Sequence, residues 1–330
     1  MMALPHAGGA QTESGMDSPI GLKATPPFSL HLTASHQTYY QREFGADRYD
    51  GGVYSRVLVI DDAPCLARVS AHGSPDAPGL RLELAGDGVS PQKRALAARE
   101  VARILSLDVS LGPFYEAVQN DPFLGEATRQ MYGLHPPQTG SVYEALVMAI
   151  IGQQISGVAA RSIRARVVRE LGTPFVMEGQ EHFAFPRPEA LLQAGQEKLR
   201  SLGLSGRKVE YIQGIAGKAL EGALEQQQIS EMGNDEVVEA LTSIRGVGQW
   251  TAQWVLLRAL GRADAFPGGD LVLQRLIGEM YFGGRAVGEK EAVAFARERW
   301  AGYTGFATTY LFAYIRRRAL QERGELVQGA

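Results

Sequence analysis

Hydrophobic and polar positions in this chain follow two periods, and the change between them divides it. From Phe28 the pattern alternates, with Phe28, Leu30 and Leu32 on one side and Ser29, His31 and Thr33 on the other, which predicts a strand. Tyr54 to Asp61, Cys65 to Ala71 and Leu80 to Ala85 continue as strands between Asp, Pro and Gly turns. At Ser90-Pro91 the period lengthens. Ser is a preferred cap, Pro suits a first helical turn, and a helix is predicted to about Leu107. Everything after about residue 112 reads as helix. The predicted fold class is therefore mostly α with a small α+β unit: a tail over residues 1–26, an antiparallel sheet domain over 27–112, and an all-helical region over 113–330.

Within the helical region, Tyr143 to Ser156 is apolar nearly all round and predicts a buried central helix. Its end, Gly152-Gln153-Gln154-Ile155-Ser156, turns polar abruptly. Adjacent amides suit hydrogen bonds to base edges or to a gap in a duplex, or simply a helix end facing water. Leu199 to Gly203, followed by Ser205-Gly206-Arg207-Lys208, reads as a surface turn between helices, and Gln226-Gln227-Gln228 as loop.

Val237, Val238, Leu241 and Ile244 recur at helical spacing, and a second apolar run from Trp250 to Leu260 follows after Arg245-Gly246-Val247-Gly248-Gln249. This predicts helix, tight hairpin, helix. Gly246 and Gly248 are free to take positive φ and leave backbone uncovered. The amides of Gly246, Val247 and Gly248, with Thr251 in the first turn beyond, are candidates to hold a phosphate without reading sequence. Trp250 and Trp254 stack one turn apart, and by spacing alone they favour a core role over the wall of a pocket for a flat ring. Asp270 follows Pro267-Gly268-Gly269 at the start of another predicted helix, as an N-cap or as a single acid aimed at a ligand. The capping-box partner is absent, because Leu273 stands where Glu or Gln would.

GVGQWTA, LRALGR, DAFP and GD over residues 246–270 resemble the helix-hairpin-helix and Gly/Pro-Asp signature of the HhH-GPD base-excision DNA glycosylases. Ala149 to Ser156 is similar to the IxGQQxS element of the alkylation-repair branch, DNA-3-methyladenine glycosylase II. The resemblance runs over roughly residues 27 to 320. It implies two helical lobes around a DNA cleft, with Asp270 as the catalytic acid and Trp250, Trp254 and Phe312 as base-pocket walls. Phe312 stands where the bacterial pattern has tryptophan. It further implies that Gln154, where that pattern has leucine, wedges into the gap left by a flipped base beside Gln153. Strand-cutting members carry a lysine before the Thr-Ala of the second helix, where this chain has Trp250. The implied activity is thus a monofunctional glycosylase that releases alkylated bases of the 3-methyladenine and 7-methylguanine type and leaves an abasic site uncut. No cofactor is expected for catalysis. A structural Na+ or K+ is implied at the hairpin carbonyls of Thr242, Ile244 and Val247.

Composition narrows this. A length of 330 residues suits two or three domains. One cysteine, Cys65, excludes an internal disulfide and the four-cysteine iron-sulfur cluster of several superfamily members. No histidine lies beyond His182, so zinc at Asp270 lacks its usual ligands. The formal charge of −3 argues against coating DNA by bulk electrostatics, and leaves binding to a local field. Arg245, Arg161 and Arg207 with Lys208 are candidates for that field, while Arg316, Arg317 and Arg318 read as a solvated helix face. No apolar run reaches the roughly 20 residues of a membrane span. The expected partner is damaged double-stranded DNA, met by a monomer inside the cell, with no membrane. Two rivals stay open: a non-catalytic helix-hairpin-helix DNA-binding protein, and a glycosylase for deaminated or oxidised bases.

Overall fold

The computed structural model describes residues 18–86 and 90–325. The tail expected over 1–26 lies outside the described residues up to position 17. Beyond that it is ordered: β1 (Ile20–Leu22) pairs with the sixth strand, and the Thr25 amide donates to the Leu107 carbonyl at 2.7 Å.

Next come α1 (Leu30–Gln37) and the strands β2 (Glu43–Phe44), β3 (Asp47–Asp50), β4 (Val53–Ile60), β5 (Ala63–Ser74) and β6 (Ala77–Ala85). They form one antiparallel sheet in the order β1-β6-β5-β4-β3-β2. The alternation at residues 28–33 misled, because α1 replaces the expected strand. Ser29 caps it by accepting from the Leu32 amide at 3.3 Å. The helix is buried on nearly every side, from Leu30 and Leu32 to Thr33, Ala34, Ser35, His36 and Gln37. A helix with no wet face has no 3.6-residue stripe to read. Then α2 (Pro91–Ile104) starts on the Ser90 cap and covers the sheet through Ala97, Val101 and Ile104.

The helical region forms two further cores. One lobe holds α5 (Val142–Gly152), α6 (Gly157–Leu171), α7 (Pro188–Gln193), α8 (Gly195–Ser201), α9 (Gly206–Leu220), α10 (Gln226–Glu231), α11 (Asn234–Thr242) and α12 (Gln249–Arg258). The other is discontinuous in sequence. It joins α3 (Gly112–Val118) and α4 (Leu124–Gln130) to α13 (Leu271–Tyr281), α14 (Glu289–Arg299) and α15 (Thr304–Glu322) around Phe114, Trp300 and Tyr310.

Two details depart from the sequence reading. A hairpin, β7 (Pro174–Met177) and β8 (Gln180–Phe183), interrupts the helices, turning at Glu178 and Gly179 with φ of +51° and +73°. Two short strands are marginal alone. These rest on the main sheet, where Ala184, Val57, Leu66 and Ala85 form a small shared core. The glutamines at 226–228 begin α10 instead of a loop. Gln226 accepts from the Val142 amide and donates to the Ala259 carbonyl, both at 2.9 Å, and so ties the start of α5 to the end of α12.

A buried ionic cluster joins sheet and helices. Arg56 on β4 donates to Asp47 at 2.8 Å and pairs with Glu144 on α5, while the Tyr54 hydroxyl and the Gln37 amide also donate to Asp47 at 2.6 and 3.1 Å. Burial works against the Arg56 charge. The two carboxylates more than offset it and raise its pKa.

Candidate active site

Three elements converge on a cavity of about 330 Å³ between the lobes. The first is the corner between α5 and α6. Small residues at Ala145, Ala149, Gly152, Gly157 and Ala160 leave the space a larger side chain would fill. At the corner, Gln154 takes φ +55° and is exposed. Gln153 is half-buried, and its amide donates to the Gly246 carbonyl at 3.1 Å and the Thr251 hydroxyl at 3.3 Å. The paired amides thus separate: Gln153 ties the corner to the hairpin, and Gln154 is the one presented outward.

The second element is the hairpin between α11 and α12. Gly246 has φ +93°, and a Cβ there would lie 2.3 Å from the Tyr211 ring, so both conformation and space demand glycine. Gly248 is different. Its φ is −103°, no atom lies within 4 Å of a built Cβ, and it opens α12 without a side-chain cap. The first amides of α12 therefore have no side-chain partner from the cap, as a phosphate site requires. Two of the named residues are engaged within the protein: the Val247 amide donates to the Ile244 carbonyl at 3.0 Å within the turn, and the Thr251 hydroxyl lies beneath Gln153 in a residue with 1% exposure, so a phosphate contact by Thr251 falls to its backbone amide.

The third element carries the acid. Asp270 is the N-cap of α13, its Oδ1 accepting from the Val272 and Leu273 amides at 2.9 and 3.0 Å. Its Oδ2 accepts from the Trp250 indole Nε1 at 3.2 Å, and both residues line the cavity. Cap and aimed acid are one residue, because a carboxylate has two oxygens and each reading uses one. Two hydrogen bonds hold the loop before it. The Gln274 side chain donates to the Gly268 carbonyl at 2.7 Å, and the Asp270 amide to Pro267 at 2.8 Å.

Trp250, Trp254 and Phe312 form the aromatic wall. Trp250 meets Trp254 edge-on at 6.2 Å, and Trp254 meets Phe312 at 5.9 Å and 32°. Both tryptophans are half-buried and line the cavity, and Trp254 also packs against the core of its lobe, the role that spacing alone favoured.

Sequence reasoning missed the far side. His36, Tyr39 and Phe44 reach in from the sheet domain, and Arg164, Arg258 and Arg316 from α6, α12 and α15. Arg316 leaves the predicted solvated face and stacks its guanidinium 4.1 Å from the Tyr39 ring, while Arg318 stays exposed. Burial alone would raise the Tyr39 phenol. Arg258, Arg316 and Arg164 overcome it and leave its pKa below the ordinary value. The same burial, with Arg316 and Arg258, holds His36 far below the usual imidazole value. The available signal was weak: Arg258 and Arg316 stand on helix faces that otherwise carry Trp254 and Phe312.

The remaining candidate cations are less engaged with the cavity. Arg245 is exposed and pairs with Glu210 at 3.3 Å, and Lys208 donates to the Ile151 carbonyl at 2.8 Å at the end of α5. Among the described residues no cluster of His, Cys, Asp and Glu is arranged to hold a metal, and no helix is long and apolar enough to cross a membrane.

Residues 147–301 match the family described as HhH-GPD superfamily base excision DNA repair protein. A DNA-3-methyladenine glycosylase of Bacillus subtilis is 28% identical over 281 residues, 84% of this chain and 91% of that protein. The solved 3-methyladenine DNA-glycosylase from Archaeoglobus fulgidus matches with a TM-score of 0.78 at 29% identity, over 91% of this chain and 99% of that one. A 3-methyladenine DNA glycosylase of Schizosaccharomyces pombe, solved in complex with abasic DNA, matches with a TM-score of 0.52 at 25% identity, over 61% of this chain and 95% of that one.

Proposed function

The chain belongs to the HhH-GPD superfamily of base excision DNA repair proteins, in its DNA-3-methyladenine glycosylase branch, and on that premise we infer a monofunctional glycosylase that hydrolyses the bond between an alkylated base and deoxyribose. The observation that carries the reading is one carboxylate with one oxygen fixed as a helix cap and the other held by an indole at the edge of an aromatic cavity.

The target atom lies inside the base stack, so the nucleotide must be flipped out, which costs a few kcal/mol. Stacking on Trp250, Trp254 and Phe312 offsets part of that, at about 1–3 kcal/mol per base. Gln154, exposed at the corner, fills the gap in the duplex. The outward amides of the α12 N-terminus and of Gly246 and Gly248 hold a phosphate beside it.

As the bond breaks, positive charge grows on the sugar, and Asp270 stabilises it and orients water. A charge pair at 4 Å is worth roughly 4 kcal/mol at an effective dielectric of 20. Enzymes supply about 8–23 kcal/mol, so the acid does not act alone. A cationic alkylated purine leaves as a neutral ring, which lowers the barrier the enzyme has to overcome.

Trp250 occupies the position at which strand-cutting relatives carry lysine, and an indole forms no Schiff base. Borohydride therefore traps no covalent complex with damaged DNA. Trapped product would overturn the monofunctional assignment. Release of methylated bases by the wild type, lost in Asp270→Asn, tests the acid.

The carbonyls of Thr242, Ile244 and Val247 are oxygen donors of the kind a monovalent cation takes. The Ile244 oxygen already accepts from the Val247 amide and keeps one lone pair for such an ion. Those residues would hold it, and its charge would attract a DNA phosphate. The enzyme works as a monomer on double-stranded DNA inside the cell.

A further inference from the structure

The corner that presents Gln154 is held by side chains from outside its own stretch of sequence. Gln154 is exposed and takes a left-handed φ of +55°, a conformation that a residue with a Cβ keeps only where its surroundings impose it. Two residues earlier stands Gly152, where a Cβ would lie 2.8 Å from the Arg164 guanidinium. Glycine leaves the backbone free to turn, so the wedge sits on a pliable joint unless other contacts fix it. Three contacts do. Gln153 is tied to the hairpin, Arg164 from α6 donates to the Met148 carbonyl at 3.1 Å, and Lys208 from α9 donates to the Ile151 carbonyl at 2.8 Å. The last turn of α5 has no basic residue of its own, so both cations come from other helices to the negative end of its dipole. They gather there although they repel one another: burial and then the Arg164 charge lower the Lys208 pKa. Lys208 is set in the first turn of α9, where its amide donates to the Ser205 cap at 3.4 Å, and it is not among the residues that line the cavity.

We propose that Lys208 is a positioning residue for base extrusion, which stiffens the α5–α6 corner through the Ile151 carbonyl so that Gln154 can be driven into the duplex. The inference rests on the glycosylase reading and adds to it a residue outside the base cavity. Parting stacked bases is uphill, and the load falls on the side chain that enters the gap. The peptide group that Lys208 holds is the one leading into Gly152, where the chain turns most easily. With that peptide released, the corner yields and Gln154 retreats before the bases part. A side chain that must act on a substrate needs a supporting contact of this kind to keep its geometry under load. Bond breaking at a nucleotide already extruded is left alone, because Lys208 borders neither Asp270 nor the aromatic wall within the cavity.

A duplex carrying 7-methyldeoxyguanosine beside 2-aminopurine reports both steps, since 2-aminopurine brightens on unstacking and the methylated base is released afterwards. In Lys208→Met the unstacking phase should slow roughly tenfold and single-turnover release should fall by a similar factor, while affinity for an undamaged duplex stays within about twofold of wild type. Lys208→Arg keeps the charge and the donor and should restore most of both. Lys208→Gln, shorter and neutral, should lose as much as the methionine variant and takes its place if that variant folds poorly. Gln154→Ala should slow unstacking in the wild type and add little to Lys208→Met, because the two residues act as one unit. Losses that multiply would overturn the proposal. So would unstacking at the wild-type rate in Lys208→Met or Lys208→Gln. An undamaged-duplex affinity that drops with the rate, with a salt dependence shallower by about one, would overturn it as well, because the lysine would then serve phosphate. An absence of base release by the wild type would instead sink the glycosylase reading itself.

Discussion

Two sets of arginine meet at Gln37, the last residue of α1, one buried and one half-buried, and they are built on opposite rules. Arg56 is enclosed at 4% side-chain exposure between Asp47 and Glu144, with Tyr54 and Gln37 completing Asp47. Arg164, Arg258 and Arg316 surround Tyr39 with no carboxylate paired to any of them among the described residues. The first cluster is complete without a ligand, so it locks the sheet domain to α5. The second has no carboxylate partner among the described residues, and Arg316 lies against the Tyr39 ring instead. Gln37 links the two, donating to Asp47 on one side and accepting from Arg258 at 2.6 Å on the other. What these charges do is therefore set by their partners.

The strongest way to break this comparison is Arg56→Met. It strands Asp47 and Glu144 without their cation, and removing one member of a buried pair costs about 3–5 kcal/mol. The urea midpoint should drop sharply. By contrast, Arg316→Gln removes a charge that has no carboxylate partner, and its midpoint should stay level or rise. If both fall alike, the two clusters are equally structural.

Asp270→Asn comes next. Asn caps helices about as well as Asp, so folding is retained. Removing a carboxylate worth roughly 4 kcal/mol should slow base release by roughly a thousandfold in single-turnover assays. Near-full activity in a folded Asn variant would remove Asp270 from the chemistry.

The hairpin offers a smaller test with its own internal control. Gly246→Ala meets the Tyr211 ring and a φ of +93°, and should cost about 1–3 kcal/mol together with DNA affinity. Gly248→Ala meets nothing within 4 Å, so its melting should be unchanged while the added methyl weakens binding to a duplex. Equal melting losses would contradict the geometry.

The smallest effect is on pH. His36 has a folded pKa far below its ordinary value of 6.5, so below about pH 6.5 the unfolded chain binds a proton that the folded protein refuses. Its contribution is therefore fully present above that pH. It is lost as pH falls toward the folded pKa, at up to about 1.4 kcal/mol per unit. His36→Gln should flatten the acid limb of a stability profile measured between pH 7 and 5. An unchanged slope would mean that the imidazole is not held neutral.

The fold class was legible because a sheet with turns and helices with caps write their periods locally. Ser90 stands where α2 begins and accepts from its first turn, whereas Ser156, read as the end of one helix, caps the next. The failures share a cause. The helix α1 has no exposed face to give a stripe, the hairpin β7–β8 is stabilised by a sheet about a hundred residues earlier, and Gln226 bridges two helices distant in sequence.

At the site, the chain by itself determined the local pieces: a glycine hairpin, an indole in the place of a lysine, a cap that is also an acid, and a helix corner ending in two amides. These depend on residues within a turn or two of one another, where sequence spacing is spatial spacing. Only the tertiary structure decided which amide faces outward, which hairpin N–H groups are free, and that both tryptophans border a cavity. It alone drew Arg316 off an apparently solvated face to Tyr39, 277 residues earlier in the chain by subtraction of their numbers. Charge acts through space, and a sequence records only the order in which charges are strung.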